Sequence, residues 1–194
     1  MSQIILASGS ASRRAILEGA GIPITIVRPK VDEEALKPTF ADLAPRALAL
    51  ALAKAKALSV QVPGALVIGA DQVMEFDGFA FDKPKSRDEL KARLKDMAGR
   101  PHHLRGGVII HRDGEILETI QESSTLTMRE LSPDEIDGYV DTIADDVLGT
   151  VGGYALEGLG SRLFAKVEGD FFSILGLPLF PVLACLRREG AIPW

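Results

Sequence analysis

Hydrophobic and polar positions fall into a small number of recurring patterns along the chain. Ile4-Ile5-Leu6-Ala7 is a short, unbroken apolar run of the kind a strand buried on both faces requires. Ile24-Ile26-Val27, with Thr25 between, predicts a second strand. Between them, Arg13-Arg14 open a helix with Ile16, Leu17 and Ala20 at helical spacing, and Gly21-Ile22-Pro23 stops it. Residues 42–58 are rich in alanine and leucine, contain no glycine, and predict a long helix. At about 100° per residue, Leu43, Ala47, Leu50 and Lys54 share one narrow stripe. Lys54 therefore points where apolar residues point, whereas Lys56 projects away. Its stem could pack while the ammonium snorkels to water, or the ammonium could reach an anion.

Ala65-Leu66-Val67-Ile68-Gly69-Ala70 suits a central strand, with Asp71 expected to end it. In open α/β sheets ligands gather beyond the carboxyl ends of strands, so an acid there is well placed for chemistry, although Asp also forms simple turns. Residues 73–76 and 79–81 flank Asp77-Gly78, the signature of a tight hairpin. Pairing about that turn sets Gln72 opposite Lys83 and folds Lys83 back beside Asp71. A charged helix follows over residues 86–97, capped by Ser86 and closed by Gly99. Strands are expected over 104–110, 115–120 and 124–129, with Asp113-Gly114 as a second hairpin turn. Ser132-Pro133-Asp134-Glu135 starts another helix, reaching about Thr142. Residues 145–153 read as a loop, 152–160 as a glycine-dense segment, 162–167 as a strand and 177–188 as a closing helix. This alternation predicts a single α/β domain spanning residues 1–194, built on a mixed sheet.

The first strand-to-helix junction, Ser8-Gly9-Ser10-Ala11-Ser12, carries the first chemical signal. Unpaired N–H groups and a positive dipole end make a helix start receptive to anions, and hydroxyls and guanidinium groups add donors. The same serines also fit simple helix capping, with the arginines solvated. No G-x-G-x-x-G dinucleotide motif is present here.

Charge narrows the range of partners. A net charge of −5 argues against a nucleic-acid polymer, for which a basic stripe is expected, but leaves single nucleotides open. The one cysteine, Cys185, sits among Leu183, Ala184 and Leu186 and reads as a packed helical thiol. His102, His103 and His111 lack zinc-ligand spacing. Asp32-Glu33-Glu34 is an acidic triplet that either is solvated or holds a divalent cation. Neither a signal peptide nor a long apolar span is evident, so a cytoplasmic protein with no membrane partner is expected.

Taken in order, these segments resemble the Maf family of nucleoside triphosphate pyrophosphatases. The matching residues are Leu6-Ala7-Ser8-Gly9-Ser10 with Arg13-Arg14, Val31-Asp32-Glu33, Lys54-Ala55-Lys56-Ala57, Ile68-Gly69-Ala70-Asp71-Gln72 and Lys83-Pro84. Gly153-Tyr154, Glu157-Gly158-Leu159-Gly160, Glu168-Gly169-Asp170 and Gly176-Leu177-Pro178-Leu179 extend the match over nearly the whole chain. The resemblance implies an elongated, helix-flanked mixed-sheet domain with a central nucleotide cleft (Maf/ITPase-like), a homodimer, and a divalent metal, Mg or Mn. It implies hydrolysis of a nucleoside triphosphate between the α and β phosphates. By position, Asp71 matches the catalytic acid, while Ser10, Arg13, Lys54 and Lys83 match the phosphate site, and Ser8 and Arg14 of the same loop are further phosphate candidates. Asp71 and Glu33 are the metal candidates. Metal-assisted in-line attack of water is the expected mechanism, with Asp71 orienting the water or binding the metal.

Ser12, Gln72 and Glu157 occupy positions that vary with base preference in the family. Gln72 and Glu157 resemble the branch acting on 7-methyl-GTP, since a carboxylate can accept from the guanine N1–H and N2–H edge. Ser12 is smaller than that branch often shows, and Ala11 replaces a proline. A dTTP/UTP pyrophosphatase of the same family and a non-catalytic nucleotide-binding regulator of septum formation are the competing readings.

Overall fold

The computed structural model describes residues 2–36 and 42–194. Seven strands are hydrogen-bonded in the order β2-β1-β3-β5-β6-β7, with β4 paired to β3. They are β1 (Ile4–Ala7), β2 (Ile24–Ile26), β3 (Leu66–Phe76), β4 (Phe79–Phe81), β5 (Pro101–Arg112), β6 (Glu115–Met128) and β7 (Phe164–Glu168). The helices are α1 (Ala11–Gly19), α2 (Glu33–Leu36), α3 (Leu43–Ser59), α4 (Arg87–Met97), α5 (Pro133–Thr142), α6 (Phe171–Ile174) and α7 (Leu179–Arg188). β1 runs parallel to β2 and β3, whereas β4 on β3 and β7 on β6 are antiparallel, so the sheet is mixed as expected. Among the described residues, no helix is long and apolar enough to cross a membrane.

The chain divides into two compact units: Met1–Gln72 with Arg105–Glu122 and Asp170–Trp194, and Val73–Leu104 with Ser123–Gly169. In the first, the continuous apolar runs of β1 and β3 follow from cover on both faces. Ile4 and Leu6, with Leu66, Ile68 and Ala70, pack against Ile16 and Leu17 of α1 and Val182, Cys185 and Leu186 of α7. Ile5, Ala7 and Val67 turn to the other face and meet Ala51, Ala55 and Leu58 of α3. Two glycines set how closely α3 lies. A Cβ at Gly69 would collide with the Ala51 carbonyl and stand 2.8 Å from Ala55 N, and one at Gly107 would stand 2.6 Å from Leu48 N. Backbone meets backbone there because no side chain intervenes.

The second unit has its own buried set, including Leu90, Leu94 and Met97 of α4 and Ile136 and Val140 of α5. Ser132 caps α5 in a reciprocal capping box with Glu135, as its sequence predicts. Arg93 is buried, donating to the carbonyls of Asp82 (2.7 Å) and Val151 (2.8 Å) and lying over the Phe81 ring. The His102 ring, also buried, meets the Tyr154 hydroxyl at 2.6 Å.

Several boundaries depart from the sequence reading. Asp71 does not end β3: the strand continues through it to Phe76, because apolar Val73, Met74 and Phe76 carry the buried pattern onward. The segments expected at 115–120 and 124–129 are one strand, β6. Short helices α2 and α6 stand where the sequence reading places no helix. Too few residues lie in each for a helical period to register.

Candidate functional site

The junction of β1 and α1 is built from small polar residues that satisfy one another. Ser10 is the N-cap of α1, its side chain accepting from Arg13 N at 3.4 Å. Its hydroxyl also lies 2.9 Å from that of Ser12. Ser8 is buried, and its Oγ accepts from Ser10 N (3.2 Å) and Arg13 Nη1 (3.0 Å). The capping reading thus holds at Ser10, with Ser8 and Ser12 tied to the same turn. Gly9 is exposed, and the Arg28 side chain lies against the position its Cβ would occupy.

Arg13 is anchored by the fold. Its Nη1 also donates to the Ala70 carbonyl of β3 at 3.1 Å, and its Nε donates to the Gly176 carbonyl at 2.9 Å. Burial pulls its pKa below the ordinary arginine value, opposed by the negative charge of Asp71 and Glu33. Arg14 follows a different course: it is exposed, and its Nε donates to Glu18 at 2.8 Å across one helical turn.

Lys54 is buried on α3, while Lys56 is exposed, as the helical stripe predicts. Its ammonium reaches two anions, both from this chain: Asp71 Oδ1 at 2.6 Å and Glu33 Oε1 at 3.0 Å. The Asp71 side chain is 12% exposed and that of Glu33 44%, so the cluster is closed on the strand side and open on the α2 side. Strand alternation explains the meeting. Gly69 and Asp71 lie on the α3 face of β3, and the bare Gly69 lets α3 approach until Lys54 can reach Asp71.

Gln72 is the next residue and therefore projects to the opposite face. Its Nε2 donates to the carbonyls of Ser173 (2.9 Å) and Ile174 (3.3 Å) in α6. That helix is capped by Asp170, whose Oδ2 accepts from Ser173 N at 2.7 Å and Ser173 Oγ at 2.9 Å.

One compact unit thus brings together Ser8, Ser10, Ser12, Arg13, Lys54, Glu33, Asp71 and Gln72. Lys83 and Glu157 belong to the other unit, and both are exposed. The hairpin register is the expected one, Met74 opposite Phe81 and Phe76 opposite Phe79, but β4 ends at Phe81, before Lys83. Pairing therefore does not carry Lys83 to a position opposite Gln72.

Among the described residues, no group of three or more His, Cys, Asp or Glu is arranged to hold a metal ion. Glu33 and Asp71 are nevertheless a two-carboxylate donor set converging on one point, which suits a hard divalent cation that also takes oxygens from phosphate and water. The sequence did not disclose Gly69 as a spacing element, nor α6 as the partner of Gln72. The Asp170-x-x-Ser173 pattern was the available signal for a helix start there.

A family model described as Maf-like protein matches residues 3–189 of this chain. The protein belongs to the Maf family. Its Maf relatives include a protein of Maricaulis maris, 46% identical over 194 residues and 99% of both chains. Another, from Paramagnetospirillum magneticum, is 45% identical over 192 residues, covering 97% of this chain and 99% of its own. A third, from Caulobacter vibrioides, is 43% identical, covering 99% of this chain and 98% of its own. All three are named nucleoside triphosphate pyrophosphatase.

Proposed function

We propose that this protein hydrolyses a nucleoside triphosphate between the α and β phosphates, releasing the monophosphate and pyrophosphate. Its preferred substrate on this reading is 7-methyl-GTP or another modified nucleotide. The reaction class follows the names of its Maf relatives. The observation that carries it on this chain is Lys54 shared between the Asp71 and Glu33 carboxylates, in the same unit as the Arg13–serine loop.

Phosphoryl-type hydrolysis is chiefly positioning and charge neutralisation, so the protein must supply cations for the polyphosphate and a carboxylate for the water. Ser10 and Ser12 offer hydroxyls at the α1 N-terminus, and the anchored Arg13 guanidinium adds fixed positive charge. Lys54 occupies Asp71 Oδ1, which leaves Oδ2 to orient a water for in-line attack. Glu33 and Asp71 would hold a divalent cation together with the substrate phosphates. When bound, that cation supplies charge neutralisation on phosphate oxygens and acidifies water. Lys54 then turns from the carboxylates towards phosphate oxygen. The family resemblance assigns Lys83 to the phosphates and Glu157 to base preference.

The test is pyrophosphate release by purified protein with magnesium across 7-methyl-GTP, dTTP, UTP, CTP and GTP. Asp71→Asn should lower kcat by about 10²-fold or more while leaving the fold intact. Preference for dTTP or UTP would keep the reaction and overturn the base assignment. Nucleotide binding without pyrophosphate release would point to a regulator. Near-full turnover by Asp71→Asn would remove Asp71 from the chemistry.

A further inference from the structure

We propose that Arg93 is a positioning residue: through two backbone carbonyls it sets the segment that carries Lys83 and the segment that carries Glu157. Both segments lie in one compact unit with α4, which bears Arg93. The need arises where the ladder stops. β4 ends at Phe81, so strand pairing does not reach Lys83, and Glu157 sits in an exposed turn ahead of the short 3-10 helix Leu159–Leu163. A side chain that must meet a ligand at a fixed point needs its backbone held by other means.

Arg93 supplies that hold. Its side chain is only 6% exposed, and its guanidinium lies over the Phe81 ring, 5.0 Å from the centroid. Nη1 carries two hydrogens and has two acceptors, the Asp82 carbonyl at 2.7 Å and the Val151 carbonyl at 2.8 Å. The first carbonyl belongs to the peptide that enters Lys83. On the far side of Lys83, Pro84 is buried, and its ring restricts Lys83 to extended backbone. Lys85 N then donates to Glu89 Oε2 at 2.9 Å, while Glu89 Oε1 accepts from Arg93 Nη2 at 3.1 Å. Glu89 and Arg93, one helical turn apart, therefore hold residues 83–85 at both ends and leave the Lys83 side chain exposed.

The second carbonyl opens the glycine-dense segment. Gly153 takes φ 67°, and Leu90, one turn before Arg93 on α4, lies where a Cβ at Gly153 would stand. Tyr139 donates to the Gly153 carbonyl at 3.0 Å, and the buried Tyr154 meets His102. The Ala155 carbonyl accepts from Gly158 N at 3.1 Å and closes the turn that presents Glu157. Burying a guanidinium is costly without partners, and those of Arg93 are the two loop carbonyls and Glu89.

The kinetic consequences rest on the reading above, which gives Lys83 to the phosphates and Glu157 to base preference; the frame itself does not. Hydrogen–deuterium exchange tests the frame directly. Arg93→Met removes the donors, and Arg93→Lys keeps the charge on a side chain one bond shorter. In both, peptides spanning 82–89 and 151–158 should exchange about tenfold faster, with β1 and α1 as in the unaltered protein. Unchanged exchange in either segment, or a rise spread over the whole chain, in both variants would overturn the proposal.

In steady-state assays both variants should raise KM about tenfold for every nucleotide and narrow the preference between bases by a similar factor. The inhibition constant of inorganic tripolyphosphate, which has no base, should rise with KM. Adding Arg93→Met to Lys83→Ala should raise that constant no further, because Arg93 acts through Lys83. Independent, multiplying effects in the double variant would overturn the proposal. So would a lower Tm and active fraction with an unmoved tripolyphosphate constant, which would make Arg93 merely structural. Should the unaltered protein release no pyrophosphate from any nucleotide, the functional reading fails, and the exchange measurement still decides the frame.

Discussion

The two faces of β3 at residues 71 and 72 solve the burial of polar groups in opposite ways. On the α3 face, an ammonium is held between two carboxylates. On the α6 face, a neutral amide donates to two backbone carbonyls. The ionic face is the more expensive to assemble, because charges taken from water must be repaid by close partners. Under the proposed function it is also the face that rearranges on substrate binding, since each of its three groups would have an alternative partner in phosphate, metal or water. The neutral face carries no charge to rearrange, and its amide ties β3 to α6 through backbone carbonyls. Adjacent residues thus bond by charge on one face and by neutral hydrogen bonds on the other.

Breaking the ionic face should cost most. Lys54→Met leaves Asp71 charged, largely enclosed and without its ammonium, and should lower unfolding free energy by about 3 kcal/mol in urea titrations. Lys54→Met combined with Asp71→Asn should recover a substantial part of that loss, since the unpaired charge is gone. A double variant as unstable as the sum of its parts would mean that packing of the lysine stem, and not charge, carries the cost.

Acid offers a comparison with a buried group that is neutral by design. Burial beside Tyr154 lowers the His102 pKa to about 4, with His103 adding repulsion. Above its ordinary value near 6.5 the ring is neutral in both folded and unfolded chains and contributes no pH dependence. As pH falls from there towards about 4, the unfolded chain takes up the proton first and stability drops, by about 3 kcal/mol in all. Below about 4 the folded ring is protonated too and the loss levels off. Equilibrium unfolding between these limits should show this slope, and His102→Phe should flatten it. An unchanged slope in that variant would assign the acid sensitivity elsewhere.

Gly69→Ala sharpens the contrast most finely. Its methyl would strike the Ala51 carbonyl, so α3 must move outward and carry Lys54 from Asp71. A loss of about 2 kcal/mol is expected, with the Gln72 face undisturbed. Lys54 and Asp71 should then couple more weakly in a double-mutant cycle built on Gly69→Ala than in the parent. Equal coupling would mean that the spacing set by Gly69 does not govern the pair.

Much of this was legible in the chain itself, for reasons particular to each residue. Angular spacing alone places Lys54 on the apolar stripe of α3, because a long alanine-rich helix has one dependable period, but it leaves open whether the ammonium meets water or an anion. Ser86 and Ser132 are legible as caps because capping is a local bond between residues three apart, whereas the first loop offers Ser10 and Ser12 alike and the structure selects Ser10. The Asp77-Gly78 hairpin fell in register because both turn residues take positive φ, 53° and 80°. Lys83 shows the limit of that reasoning, since a turn sets register only as far as the ladder runs. Arg14 shows another: adjacent to Arg13 and chemically identical to it, it is turned outward to Glu18 by a single helical step.

By itself the sequence determined the periodic elements, the caps and turns, the burial of Lys54 and the membership of a family, because each depends on neighbours in the chain or on patterns spread along it. Only the tertiary structure decided which partners those residues meet. That Lys54 holds Asp71 and Glu33 together, and that Gln72 turns its back on both, depends on a bare glycine on β3 and on how closely α3 and α6 lie against the strand. Such distances are set by packing among segments remote in the chain, which no local rule of spacing reports.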